Sequence, residues 1–285
     1  MIAGWWRVDE QLTNWIGRQE EVEDLITEWP AAALQATLGF TDPPLREGDE
    51  LPPLWHWLYF LPTVLRSDLG TEGHARLGGF LPPVPLPRRM FAGGRTEFVA
   101  PLRIGQTAGR RGTVVSIEEK QGRSGALVFV TVRYEVTTEA GLALREEQDL
   151  VYREPASGSE VSPPGTDPIP PGAWIRTIIP DEVMLFRFSA LTFNGHRIHY
   201  DYPYVTQVEG YPHLIVHGPL TALLLADLAN RNGPDRVRSF SFRGRSPLFA
   251  DNSFTLVGGM EDQNQARLSV WSHDRRLAMT AEADF

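Results

Sequence analysis

A chain of 285 residues with 42% hydrophobic and 22% charged side chains carries enough apolar material for one large core or two of ordinary size. Cysteine is absent and Lys120 is the sole lysine, which removes disulfides, thiol nucleophiles and thiolate metal sites and leaves Schiff-base chemistry a single candidate. A net charge of −9 argues against nucleic acid as a partner, because phosphate neutralisation needs a basic surface. No apolar run approaches the ~18 residues that span a bilayer. Met1–Glu10 lacks a basic-then-apolar leader pattern, so a cytoplasmic protein without membrane attachment is expected.

In chain order, the first candidate element is Leu54–Leu65 (LWHWLYFLPTVL), an apolar stretch with helical character broken at Pro62. Arg88, Arg89 and Arg95 then flank what reads as a Gly-Gly turn. The β-rich runs Glu97–Leu102, Thr113–Glu119, Ala126–Val136 and Glu147–Arg153 follow, separated by Gly-containing turns. Glu154–Gly172 holds six prolines without apolar periodicity and reads as a semi-rigid linker between residues 1–153 and 173–285. Beyond it, Pro219–Arg231 is expected to be a helix, with Gly218 at the N-cap and Pro219 at the first helical position, where its missing N–H costs nothing. Leu220, Leu223, Leu224 and Leu228 form one stripe, and Leu225, Ala226 and Ala229 leave little polar face, so this helix should be buried. The runs Arg236–Arg243, Ser253–Gly259, Gln265–Trp271 and Leu277–Asp284 repeat the first series. Both series contain a Pro-Leu step before a polar turn, at Pro101–Gly105 and Pro247–Asp251, a weak sign of duplication. One buried helix wrapped by an antiparallel sheet is the hot-dog arrangement, and two series predict an α+β tandem (double) hot-dog.

Four of the seven histidines fall between residues 196 and 217, within Phe188–Asp201 (FSALTFNGHRIHYD) and Tyr211–Leu220 (YPHLIVHGPL). These segments resemble the MaoC-like (R-specific) enoyl-thioester hydratases and dehydratases. That family's pattern is an Asp, then Asn-Pro-x-His-x-Asp, then a Val-His-Gly step at the start of the central helix. Here Asn194 stands at the catalytic aspartate, His199 at the catalytic histidine and Asp201 at the aspartate that follows, while Val216-His217-Gly218 matches the helix start. The wording around Asn194 is most similar to one branch, the mesaconyl-C4-CoA and itaconyl-CoA hydratases and the mitochondrial-type 3-hydroxyacyl-thioester dehydratases. The resemblance implies that residues 173–285 hold the active site and that the first half is degenerate. It shows no His-x-Asp element there, so that half should shape the acyl pocket without supplying acid or base.

The residue types suit that chemistry. Hydrating an α,β-unsaturated thioester needs a base for the water proton, charge stabilisation at the thioester oxygen and a proton for the α-carbon. His199 can serve as base near neutral pH, Asn194 can hold the water but exchange no proton, and the Gly218 N–H at a helix start can meet the oxygen. His217 is weighed evenly between orienting the helix start and touching substrate, and His196 and His213 read as surface or loop residues. No histidine pair has the i, i+4 spacing of a helical zinc site, so no metal is expected.

Among the arginines, Arg197 is favoured for the acyl end, followed by Arg243 and Arg245, with Tyr204 beside them. Arg88, Arg89 and Arg95 are placed to reach across the seam between halves. The expected reaction is reversible hydration of an enoyl-CoA, with a C5 dicarboxylic thioester such as itaconyl-CoA or mesaconyl-C4-CoA favoured, giving citramalyl-CoA. No cofactor is expected beyond coenzyme A as part of the substrate, and a homo-oligomer is compatible with the sequence. The rivals are a 3-hydroxyacyl-thioester dehydratase of fatty-acid synthesis and a non-catalytic acyl-CoA-binding hot-dog protein.

Overall fold

The computed structural model describes residues 10–122, 125–154 and 172–285; nearly all of the expected Pro-rich linker lies outside these described residues. The elements in order are α1 (Glu10–Thr13), β1 (Gln19–Leu25), α2 (Glu28–Leu38), β2 (Arg88–Phe98), β3 (Thr107–Gly122), β4 (Gly125–Thr138), β5 (Gly141–Arg153), β6 (Trp174–Ile178), α3 (Glu182–Leu191), α4 (Tyr202–Gln207), α5 (Gly218–Asn232), β7 (Ser239–Gly244), β8 (Phe254–Met260), β9 (Gln265–Ser272) and β10 (Leu277–Asp284). The strands form one sheet, β1-β3-β4-β5-β2-β7-β10-β9-β8-β6, and every pairing is antiparallel. Outward from the β2–β7 seam, each half runs through its second, fifth, fourth, third and first strands. The two series are thus one topology repeated.

The repeat extends to single hydrogen bonds. Leu51 N–H donates to the Leu102 carbonyl as Val216 N–H donates to that of Leu248, and Ile104 pairs with Asp49 as Ala250 pairs with Leu214. Both Pro-Leu steps therefore occupy the same connection, between a half's second and third strands. This register places the segment after residue 51 where α5 begins in the second half. There Leu54–Leu65 forms only a 3-10 turn, Trp55–Leu58, instead of the expected helix. Leu54 and Phe60, at φ 67° and 56°, turn the chain out of helical geometry on either side of it. Leu54, Trp55, Leu58, Tyr59 and Phe60 are nevertheless buried, so the segment keeps its core duty without the helix.

The second half has the expected central helix. Every residue of α5 from Leu220 to Ala229 is buried, and α5 packs against β6 to β10. Each such leucine contributes roughly 1.5–3 kcal/mol relative to exposure. Asp227 is the charged residue among them, pairing with Arg176 Nη1 at 2.9 Å and Arg231 Nε at 2.9 Å. Arg231 also bridges to Asp42 at 2.7 Å, and Phe40 sits under both guanidiniums, so this network joins the two halves.

Two sequence expectations are corrected here. Gly93-Gly94 is not a turn but lies inside β2, where it faces β7 across the seam. A Cβ at Gly93 would stand 2.5 Å from the Phe242 carbonyl oxygen, so the seam can close only over glycine. His217, in extended conformation, is the N-cap of α5, and Gly218 is its first helical residue.

Candidate active site

Helix α3 is capped by Asp181, whose carboxylate accepts from Met184 N–H. It ends through Phe193 in the left-handed region (φ 49°), which turns Asn194 out of the helix. The Asn194 N–H returns to the Ser189 carbonyl at 2.8 Å. Asn194 Oδ1 accepts from His196 N–H at 3.0 Å, an Asx turn. Because a backbone N–H must donate, that contact fixes the oxygen and leaves the Asn194 amide NH₂ as the free end.

His199 closes the 3-10 turn Arg197–His199, and its Nδ1 lies 2.7 Å from the Ile215 carbonyl oxygen. A carbonyl only accepts, so Nδ1 carries the proton and Nε2 keeps its lone pair. Burial lowers the His199 pKa from 6.5 to about 4, the bond to Ile215 opposing it, so the ring is neutral at pH 7. His217 stacks on that ring, with centroids 3.6 Å apart, and its own Nε2 lies 2.8 Å from Ser189 Oγ. His217 is fully buried and pinned between Phe188, Ser189 and His199, which fixes the plane of the His199 imidazole.

A large cleft runs along the seam, lined from both halves. Asn194, His196, His199 and Gly218 all reach it, and so do Arg243 and Arg245. The first turn of α5 opens onto this cleft, so its unpaired N–H groups and positive dipole end face it. A Cβ built on Gly218 would meet nothing within 4 Å. Arg243 and Arg245 are exposed at the cleft and make no ion pair among the described residues.

Other expected residues are elsewhere. Arg197 pairs with Asp201 at 2.8 Å, donates to the Thr71 carbonyl at 3.0 Å and lies 4.0 Å over the Tyr204 ring. Tyr204 is buried and donates to Glu209, and neither it nor Arg197 lines the cleft. Asp201 caps α4, accepting from Tyr204 N–H at 3.0 Å, a structural duty.

Two residues the sequence reading passed over belong to the site. His196, read as a surface or loop residue, lies in a loop but is partly buried, its ring 5.5 Å from His199, and burial lowers its pKa to about 3. His74, from the first half, packs 4.1 Å from His196. It arrives through a close backbone crossing, since a Cβ on Gly73 would fall 1.8 Å from the Gly195 carbonyl oxygen. Arg197 N–H also donates to the Glu72 carbonyl at 2.9 Å, so the segment around Gly73 braces the motif. The proximity of His196 to Asn194 in the motif was a usable signal; nothing local to His74 announced it. The first half also contains a histidine–carboxylate contact, made between residues 90 positions apart rather than within a His-x-Asp element. His56 Nε2 meets Glu146 Oε2 at 3.0 Å, buried beside Trp57 and Gln148, but neither partner lines the cleft.

Of the neighbouring histidine rings, His199 and His217 are stacked, His196 meets His199 edge-on and His74 is tilted on His196. Among the described residues no group of three potential ligands is placed to hold a metal ion.

This constellation matches the hydroxyacyl-thioester dehydratase type 2 family over residues 54–250. The chain belongs to that family. It is 52% identical over 245 residues to the mesaconyl-C(4)-CoA hydratase of Chloroflexus aurantiacus, covering 85% of this chain and 87% of the relative. Among solved structures, HtdX of Mycobacterium tuberculosis superposes with a TM-score of 0.68 at 20% identity, over 93% of this chain and 98% of that one. A second M. tuberculosis protein, described as having a double hot-dog fold, gives 0.59 at 15% identity over 94% and 96%. The chain is an α+β double hot-dog and a hydro-lyase acting on enoyl thioesters.

Proposed function

We propose that this hydro-lyase hydrates a short dicarboxylic enoyl-CoA, of the kind named by its relative mesaconyl-C(4)-CoA hydratase, through one base, His199. The observation that carries this reading is the Nδ1–Ile215 contact, which leaves an unprotonated Nε2 at the cleft. Water held by the Asn194 amide gives a proton to Nε2 as its oxygen bonds to the β-carbon. The π electrons move to the thioester oxygen, which accepts from the Gly218 N–H. His199 then returns its proton to the α-carbon and the enolate collapses. Asn194 cannot share this work, so taking and giving fall to one ring and both new bonds form on one face. The exposed Arg243 and Arg245 are suited to the phosphates of coenzyme A, and the chemistry needs no other cofactor.

The experiment is hydration in D₂O across mesaconyl-C4-CoA, itaconyl-CoA, crotonyl-CoA and a long-chain enoyl-CoA. Highest kcat/KM on a dicarboxylic ester, with deuterium on the same face as the new hydroxyl, supports the reading. A long-chain preference would favour the fatty-acid dehydratase instead, and turnover of none would favour an acyl-CoA-binding protein. His199→Ala should cost more than ~10²-fold in kcat, the scale of a lost general base, and Asn194→Ala less. Opposite-face deuterium would overturn the one-base scheme.

A further inference from the structure

The arginines of the seam differ in how they are occupied. Arg88 Nε is 3.0 Å from Glu209 Oε2, and its guanidinium also lies over Tyr211. Arg95 is held by Glu147 and Asp149, Arg110 approaches Glu20 at 3.6 Å, and Arg197 is held by Asp201. Arg89 is different: it lines the cleft, is partly buried and forms no ion pair among the described residues. Arg153 also lines the cleft without an ion pair, but it does not share a face with Tyr152, and its charge is not among those that act on His74 and His196.

Arg89 shares its face with its cross-strand partner Tyr152, and its guanidinium acts on the fully buried Tyr152 hydroxyl, which makes no full hydrogen bond. On the cleft side stands His74, whose buried Nδ1 also has none; the nearest carboxylate oxygen, Glu72 Oε1, is 3.9 Å away. Burial first, then the charge of Arg89, holds His74 well below its ordinary pKa, and both residues line the cleft. His196 feels the same charge. Hence a cation without an ion pair lines the same cleft as the row His74, His196, His199, where the His74 Nδ1 has no hydrogen-bond partner. A buried polar group without a partner is unfavourable, so such a cluster calls for something that completes it.

We propose that Arg89, on the same cleft as His74, is the subsite that receives the distal carboxylate of the acyl group. The ring separations of 4.1 and 5.5 Å along the row set a short reach from His199, one that a small diacid spans and a long chain overshoots. A planar guanidinium takes both carboxylate oxygens at once, which fixes the acyl group in rotation and brings its double bond to Nε2. The first half thereby contributes substrate selection rather than proton transfer. This assignment rests on the dicarboxylic reading above.

The test compares kcat/KM for mesaconyl-C4-CoA and for crotonyl-CoA in wild type, Arg89→Gln and Arg89→Lys. A wild-type preference for the diacid that falls by about 100-fold or more in Arg89→Gln is the expected result, because a site built for one polar group discriminates steeply. Arg89→Lys should lose about tenfold of that ratio, since an ammonium cannot hold both oxygens. A wild-type preference left intact in Arg89→Gln overturns this assignment alone. A wild type without preference overturns the dicarboxylic reading and this subsite with it. Should Arg89→Gln fail to fold, a ratio within twofold of wild type in Arg89→Lys overturns the subsite.

Discussion

Four neutral histidines packed in a row make this protein a proton acceptor on unfolding. Burial is the largest cause lowering the pKa of each, with His199 at about 4, His196 at about 3, and His74 and His217 well below 6.5. A group whose folded pKa is depressed contributes its stability above the unfolded pKa. That contribution shrinks as pH falls from 6.5 and is gone at the folded value. At pH 5 the unfolded chain gains about 2 kcal/mol from protonating His199 alone, while the native ring stays almost neutral. At pH 5.5 each unfolded histidine is about 0.9 protonated, so unfolding should take up between about three and four protons for the row. Glu20 and Asp227, raised by burial, work in the opposite sense and trim that number. The assay is urea unfolding at pH 5.5 in a pH-stat, which counts the protons directly. His199→Gln should reduce the uptake by about 0.9. Uptake below about one proton for wild type would refute the claim that the row is held neutral. The same titration should leave kcat/KM flat from neutrality down to about pH 5 and let it fall with an apparent pKa near 4.

Three further substitutions separate structural from chemical roles. Gly73→Ala sets a Cβ 1.8 Å from the Gly195 carbonyl at φ +97°, and should cost upward of about 2 kcal/mol, roughly 4 °C or more in Tm, together with kcat; an unchanged Tm would mean the crossing is not tight. Arg197→Met should lower Tm by a few degrees while KM stays within about threefold, because its guanidinium serves Asp201, Thr71 and Tyr204; a tenfold rise in KM would return Arg197 to the substrate. Asp227→Leu leaves Arg176 and Arg231 without their buried partner. It should lower the urea-unfolding free energy by upward of about 2 kcal/mol, reduced from the fully buried case because both arginines are partly solvated.

The elements visible in the sequence were those written in local pattern. The leucines and alanines of α5 allow no solvent face, so both helix and burial followed from their spacing, displaced by one residue at the N-cap. Most long strands were visible in the same way. The edge strand β1 was not, because four of its seven residues are acidic, which a strand tolerates only where one side is unpaired. The Gly-Gly step of β2 looked like a turn because glycine is ambiguous until the strand that must approach it is known. The motif placed Asn194, His199 and Gly218 at one cleft, since all lie near one turn and one helix start. Other facts depend on residues far apart in the chain. His74 meets His196 through a crossing of Gly73 over Gly195, and His56 meets Glu146 across 90 positions. Arg197 takes its carboxylate from Asp201 four residues on, a local pair, whereas the place of Arg89 on the cleft depends on strands far apart in the chain. The sequence determined the fold and pointed to His199 as the histidine proposed to react, because periodicity and motif are local. The tertiary structure decided tautomer, protonation and which cation is unpaired, because those depend on solvent exclusion and on partners that only folding brings together.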